Sequence, residues 1–202
     1  MENFSRPLLD WYKKEARPLP WREEPTPYRV WVSEIMLQQT RVEAVKPYYE
    51  RFLKALPDVA ALAACPEDQL MKLWEGLGYY NRVRNMQKAA VTVTEEYDGV
   101  LPADYGKLLE LKGIGSYTAG AIASIAYGIP VPAVDGNVLR ILTRVAADDT
   151  DIMKQSFRSA VEAQLGEMMR ELTVPEELRR TLRDENVPGA LNQAMMELGA
   201  TV

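Results

Sequence analysis

LKGIGSYTAGAIASIAYGIPVPAVDGNVLRILTR, residues 111–144, is the stretch whose reading decides the fold. Gly113 and Gly115 flank Ile114 between two segments of helical apolar spacing, where glycine serves a tight turn or the close approach of another surface. Ser116 stands where an N-cap stands, ahead of a helix expected over 117–127. The first turn of such a helix leaves backbone N–H groups without intrahelical partners, and the helix dipole favours negative charge there. A DNA phosphate can rest on those groups with no arginine beneath it. Further on, Val134-Asp135-Gly136-Asn137 puts a carboxylate immediately before a second amphipathic helix.

A glycine turn between helices is by itself an ordinary connection. Four separated segments in one order change that reading. LKGIGSYTAGAI (111–122) followed by AVDGNVLRIL (133–142) resembles the helix-hairpin-helix, Gly/Pro-rich loop and aspartate signature of the DNA glycosylase superfamily that includes endonuclease III. With WVSEIMLQQTRV (31–42) and WEGLGYYNRVRN (74–85) upstream, the resemblance within that superfamily is to the MutY-type adenine glycosylases, which act on adenine mispaired with guanine or 8-oxoguanine. It covers residues 19–144 and resumes at 188–202. It implies an all-α fold of two lobes with the active site in the cleft between them: a six-helix module over 27–134, with the hairpin at 108–128, and a discontinuous lobe of 1–26 and 135–202. The lack of sustained period-two alternation agrees with an all-α chain.

Composition sets limits on the chemistry. The 202 residues hold one cysteine, Cys65, and no histidine, so an internal disulfide and the usual zinc ligands are excluded and acid–base work falls to carboxylates, lysine, tyrosine or water. No apolar run reaches the length of a membrane span, and MENFSRPLLDW lacks the apolar core of a signal peptide. The expectation is a cytoplasmic protein of the bacterial cytosol or nucleoid, monomeric and with no membrane partner. A net charge of −5 argues mildly against nucleic-acid binding, though Arg82, Arg84 and Lys88 cluster near one segment and Lys112, Arg140 and Arg144 near another.

Helices are expected at 7–16, 27–39, 42–56, 58–64, 66–77, 82–97 and 104–112, with 19–28 a proline-punctuated loop and a helical pattern continuing from Arg144 through Ile152 to Leu172, broken at Pro175. Trp21 in that loop reads as a core anchor. The acidic stretch 148–187 matches the family poorly and has no legible role. Met168, Met169, Met195 and Met196 read as core filling.

Glu34 is embedded in an apolar run, and a carboxyl group in dry surroundings favours its protonated form, the state a general acid needs near neutral pH. The resemblance implies the remaining roles. Glu34 would protonate N7 of an extruded adenine, Asp135 would stabilise or transiently capture the sugar cation, and Tyr117 and Asn137 would position that carboxylate and the water. Gln39 would act as a wedge in the duplex with Leu37 beside the lesion, Tyr79 would face DNA, and Arg22 and Gln193 would contact bases. Gly113, Gly115, Ser116, Arg82 and Arg84 would meet the DNA backbone. The duplex partner is DNA carrying an A/8-oxoguanine or A/G mispair. The family's 4Fe-4S cluster has no cysteine ligands in this sequence, so no cofactor, no bound iron, and weak, salt-sensitive binding with little preference for 8-oxoguanine are expected. Three alternatives stay open: a bifunctional glycosylase/lyase, which needs a lysine where Tyr117 stands; a G/T-mismatch thymine glycosylase; and a catalytically inactive DNA-binding module.

Overall fold

A computed structural model describes residues 2–172 and 186–201, and among these every regular element is helical. None of the described helices is long and apolar enough to cross a membrane. The chain divides into two compact units, residues 18–119 and residues 1–17 with 120–202. The break expected at Pro175 lies outside the described residues.

The 18–119 unit begins with α2 (Pro20–Glu23), one turn of helix where a loop was expected. Pro20 opens it without needing an N–H donor, and Trp21 anchors it, buried and packed edge to face on Tyr49 at 5.5 Å between centroids. Helix α3 (Pro27–Leu37) starts the same way, with Pro27 first and the Thr26 side chain accepting from Arg29 N. Helices α4 (Val42–Ala55), α5 (Val59–Ala64), α6 (Glu67–Trp74), α7 (Asn81–Glu96) and α8 (Tyr105–Glu110) follow. Asp58 caps α5 by accepting from Ala61 N at 2.8 Å, and Asp104 caps α8 by accepting from Lys107 N at 2.9 Å. Packing pairs α3 with α4, α4 with α6 and α5 with α7. Trp31, Phe52 and Trp74 are fully buried at the centre, Phe52 meeting Trp74 edge to face at 5.9 Å.

The other unit takes α1 (Glu2–Glu15), α10 (Gly136–Ala146), α11 (Gln155–Glu171) and α12 (Val187–Thr201). Its core joins Leu8 and Leu9 of α1 to Val138 and Leu139 of α10, Leu165 of α11 and Leu191 of α12. Met168, Met169 and Met195 are buried there as expected, whereas Met196, also read as core filling, is half-buried. The helical pattern read through Arg144 to Leu172 is interrupted. Ala147 takes a left-handed φ of 49°, and Asp148 and Asp151 turn the chain by accepting from Thr150 N and Met153 N, both at 2.9 Å. A local carboxylate outcompetes the helix ladder at each of these positions.

Helix α9 (Ser116–Ala121) runs on into a π-helical turn, Ile122–Ala126, which packs against α12. Gly120 is required here, since a Cβ would stand 2.2 Å from Pro132 O. The dividing points fall at 17/18 and 119/120, against an expectation of 26/27 and 134/135. The reason is packing: Trp21 belongs with Tyr49, and the π turn belongs with α12.

Candidate functional site

Helix α3 carries Glu34 inward. Val30, Trp31, Val32, Ser33, Glu34, Ile35 and Met36 are all buried, and Glu34 is 6 % exposed. Ser33 satisfies its own hydroxyl by donating to Val30 O at 2.8 Å. A carboxyl group this far from water can exchange a proton with a docked substrate without competing solvent. The helix ends at Leu37, half-buried, and the chain then leaves through Gln39, exposed and in the left-handed region at φ 58°.

Tyr79 follows Gly76 and Gly78 in the turn between α6 and α7. It too is left-handed, at φ 47°, and it is 67 % exposed. A non-glycine residue in this region is uncommon and costs conformational energy. Gly76 is fixed by both its φ of 97° and a contact, since a Cβ would stand 2.1 Å from Tyr48 Oη.

Arg82, which the resemblance puts at the DNA backbone, is half-buried and directs its guanidinium at the protein's own carbonyls. Its Nη1 donates to Ile35 O at 2.8 Å and Gln38 O at 2.5 Å, and its Nη2 donates to Leu77 O at 3.1 Å and Gly78 O at 3.3 Å. The guanidinium carbon lies 5.5 Å from the ring centroids of both Trp74 and Tyr79. Burial pulls this guanidinium below its ordinary pKa. Carbonyl groups converging from two segments outcompete solvent for a planar fork of donors. Arg84 is exposed, and its Nε donates to Glu67 Oε1 at 3.0 Å.

In the hairpin, Gly113 is held at φ 81° against α7, where a Cβ would stand 2.8 Å from Asn85 Cβ. Ile114 is buried. Gly115 lies outside the left-handed region and has open space where a Cβ would stand, so neither backbone conformation nor internal packing demands glycine there. Ser116 and Tyr117, both half-buried, are the first residues of α9, so Gly115 rather than Ser116 occupies the position before the helix. Arg22 is half-buried on α2.

In the other unit, Asp135 caps α10, one carboxylate oxygen accepting from Val138 N at 2.9 Å and the other from Asn137 Nδ2 at 2.8 Å. Asn137 in turn accepts from Arg140, and its Cβ lies where a Cβ on Gly199 of α12 would come within 2.6 Å. Asp135, Asn137 and Arg140 thus form one hydrogen-bonded row. Gln193, half-buried on α12, donates to Gly189 O at 3.4 Å within its own helix.

The residue that sequence reading missed is the neighbour, Asn192. It is fully buried, accepts from Ala133 N at 3.0 Å, and donates to Ser124 Oγ at 2.7 Å and Val131 O at 3.0 Å. Arg158 adds a bond from Nη1 to Val134 O at 2.6 Å. The loop that delivers Asp135 is therefore clamped from α12 and α11. The only sequence signal was an Asn beside Gln193 on an otherwise apolar helix face.

The iron–sulfur cluster brought by the resemblance needs thiolate ligands. The one thiol, Cys65, is buried at the end of α5, its pKa pushed up by burial, and it donates to Pro66 O. Among the described residues no His/Cys/Asp/Glu group has metal-site geometry. The residues present do not fit the cluster.

Comparison with known proteins gives consistent findings. Residues 32–167 match the family model described as HhH-GPD superfamily base excision DNA repair protein. The chain is 43 % identical over 98 % of its length to an adenine DNA glycosylase of Rattus norvegicus, covering 38 % of that protein. It is 38 % identical, again over 98 % of its length, to an adenine DNA glycosylase of Buchnera aphidicola subsp. Acyrthosiphon pisum, covering 53 % of it. The chain thus spans roughly two fifths to one half of the length of these relatives. Among solved structures, a thermostable thymine-DNA glycosylase superposes with a TM-score of 0.80 at 22 % identity, covering all of this chain and 86 % of that one. An endonuclease III in a non-covalent DNA complex superposes at 0.70 and 22 % identity, covering 97 % and 84 %. At that identity the likeness shows the fold.

Proposed function

We propose that this chain, which belongs to the HhH-GPD superfamily of base excision DNA repair proteins, hydrolyses the N-glycosidic bond of adenine mispaired with 8-oxoguanine or guanine in duplex DNA. The observation that carries the reading is Glu34, a carboxyl group buried in the apolar face of α3 beside an exposed segment in left-handed backbone. A glycosylase reaches its base by extruding the nucleotide, at a cost of a few kcal/mol that a mispair reduces. Protonated Glu34 donates to N7 of the extruded adenine, and the C1′–N9 bond breaks with its electron pair leaving on the base. The negative charge of Asp135, held in place by Val138 N and Asn137, offsets the developing sugar cation. Water adds its oxygen to C1′, and the proton it loses restores Glu34. The products are free adenine and an abasic site.

Tyr117 in place of a lysine supports a monofunctional reaction, because a strand-cleaving lyase forms a Schiff base through an amine. The open face of Gly115 and the N–H groups at the start of α9 suit a DNA phosphate. Exposed Tyr79 and Gln39 suit insertion into a base stack. No cofactor is needed for this chemistry, and the reading takes the active form as a monomer acting on DNA in the cytosol.

Glu34→Gln tests it. The amide keeps the shape of the side chain and cannot deliver a proton, so duplex binding is expected to persist while single-turnover adenine release falls by a hundredfold or more, on the order of general-acid contributions. Excision within roughly tenfold of the parent, a loss of only about 1.4 kcal/mol of barrier stabilisation, overturns the assignment. Running A/8-oxoguanine, A/G and T/G duplexes side by side separates adenine from thymine excision, and release from none of them leaves a binding module.

A further inference from the structure

Asp98 apart, Gln39 and Tyr79 are the exposed non-glycine residues that stand on left-handed backbone among the described residues of 18–119, and they come from segments forty residues apart. Each is immediately preceded by a carbonyl that accepts from the same side chain: Gln38 O from Arg82 Nη1 at 2.5 Å, and Gly78 O from Arg82 Nη2 at 3.3 Å. Trp74 Nε1 gives Gly78 O a second bond at 3.0 Å. The orientation of a peptide carbonyl fixes the plane that sets the next residue's φ. A single guanidinium therefore governs the backbone of both residues at once. Its remaining nitrogen, Nε, is buried without a partner, a cost that the fold tolerates to keep the fork in place.

We propose that Arg82 is a positioning residue that clasps the 37–40 and 76–79 segments together, so that Gln39 and Tyr79 are presented as one preformed two-point contact. The inference rests on the reading that these two side chains enter the DNA. An unclasped left-handed residue relaxes toward ordinary backbone, because the strained conformation survives only where surroundings over-determine it. Lysine does not substitute. It carries a compact charge without the planar fork that reaches two groups of carbonyls simultaneously. Arg82 thereby acts on DNA without touching it, which distinguishes it from a phosphate contact.

The test is Arg82→Lys, read in two ways. In the free protein, amide hydrogen exchange is expected to accelerate in both 37–40 and 76–80 while the other segments of 18–119 stay protected. On DNA, 2-aminopurine placed beside an A/G mispair reports unstacking. That signal and the preference for mispaired over matched duplex are expected to fall on the order of tenfold to a hundredfold, the scale at which misplacing a group by about an ångström acts. The slope of log affinity against log salt on matched duplex is expected to stay unchanged. A slope reduced by about one makes Arg82 a phosphate contact and overturns the proposal. Acceleration in only one segment, or a general loss of protection, overturns it as well. If Arg82→Lys does not fold, it is made in a Gln39→Gly/Tyr79→Gly background, where glycine takes the left-handed conformation without strain. Folding there supports the clasp, and failure there shows that Arg82 only braces the core. Absence of adenine release by the parent chain counts against the proposed function alone, since the exchange measurement needs no substrate.

Discussion

Two single positions have consequences that an experiment can reach directly. Tyr117 is the second residue of α9, and the proposed monofunctional reaction takes it to stand where a bifunctional enzyme needs an amine. Tyr117→Lys is expected to yield a covalent protein–DNA adduct on borohydride reduction with abasic duplex, and its absence with DNA still bound means that residue 117 does not face C1′. Tyr49 is of a different kind, a fully buried phenol whose hydroxyl has no partner and whose pKa burial pushes up from 10.0 to about 12. The folded state keeps this proton where the unfolded chain releases it. Stability from Tyr49 is thus fully present below pH 10 and is lost as pH rises from 10 to 12. Tyr49→Phe removes an unsatisfied hydroxyl and keeps the ring on Trp21. Its stability at neutral pH is expected to match or exceed the parent's by about 1 kcal/mol, with a shallower alkaline decline in a denaturant titration. A loss of about 2 kcal/mol or more reveals a bonding partner for the hydroxyl.

At the scale of elements, the decisive device in the 1–17 and 120–202 unit is the clamp on the loop between the π turn and α10. Asn186 takes carbonyls of the π turn, donating to Ser124 O at 2.9 Å and Ile125 O at 2.8 Å, while Asn192 holds Ala133 and Val131. Ser124 O already accepts from Gly128 N at 3.0 Å, so Asn186 adds a second bond there and ties the end of the π turn to α12. Asn192→Leu keeps the volume and strips three bonds from buried groups. It is expected to lower unfolding stability by about 2–4 kcal/mol, read as a shift of the denaturant midpoint at unchanged m. Because the same loop delivers Asp135, adenine release is expected to fall as well at temperatures where the variant is folded. An unchanged midpoint would mean that Arg158 and the apolar contacts hold the loop without Asn192.

For the chain as a whole, the net charge of −5 and the fate of individual arginines bear on how it meets DNA. Arg82 is spent on carbonyls, and Arg84 is paired with Glu67 at the surface. Exposed pairs of that kind contribute little and yield readily to a competing anion. On the proposed function, neither of these two arginines is freely available to a phosphate, which leaves more of the positioning to backbone N–H groups at the hairpin. Binding to an A/G duplex is expected to be weak, with a salt slope below about five and little preference for 8-oxoguanine over guanine. Titration of both duplexes across salt checks this, and a slope near ten demands a basic face that these residues do not form.

What the sequence determined by itself is whatever depends on near neighbours along the chain. Thr26, Asp58 and Asp104 cap the helices that follow them, the glycine turn at 113 forms the hairpin, and Glu34 sits in an apolar run that is buried as a block. These features follow from spacings of three or four residues, which a single sequence displays. Only the tertiary structure decided where the long or amphipathic side chains went. Arg82 beside Arg84 looks like half of a basic cluster, yet it bonds to Ile35 O, 47 residues away, because carbonyls converging from two segments match the planar fork of one guanidinium. Asn192 and Gln193 look interchangeable, but the roughly 100° step between neighbours on α12 buries the first beside Ser124, 68 residues away, and leaves the second half-buried. The cost of burying a polar group is settled by partners far along the chain, so sequence-local reasoning locates such residues without telling whether they face inward or outward.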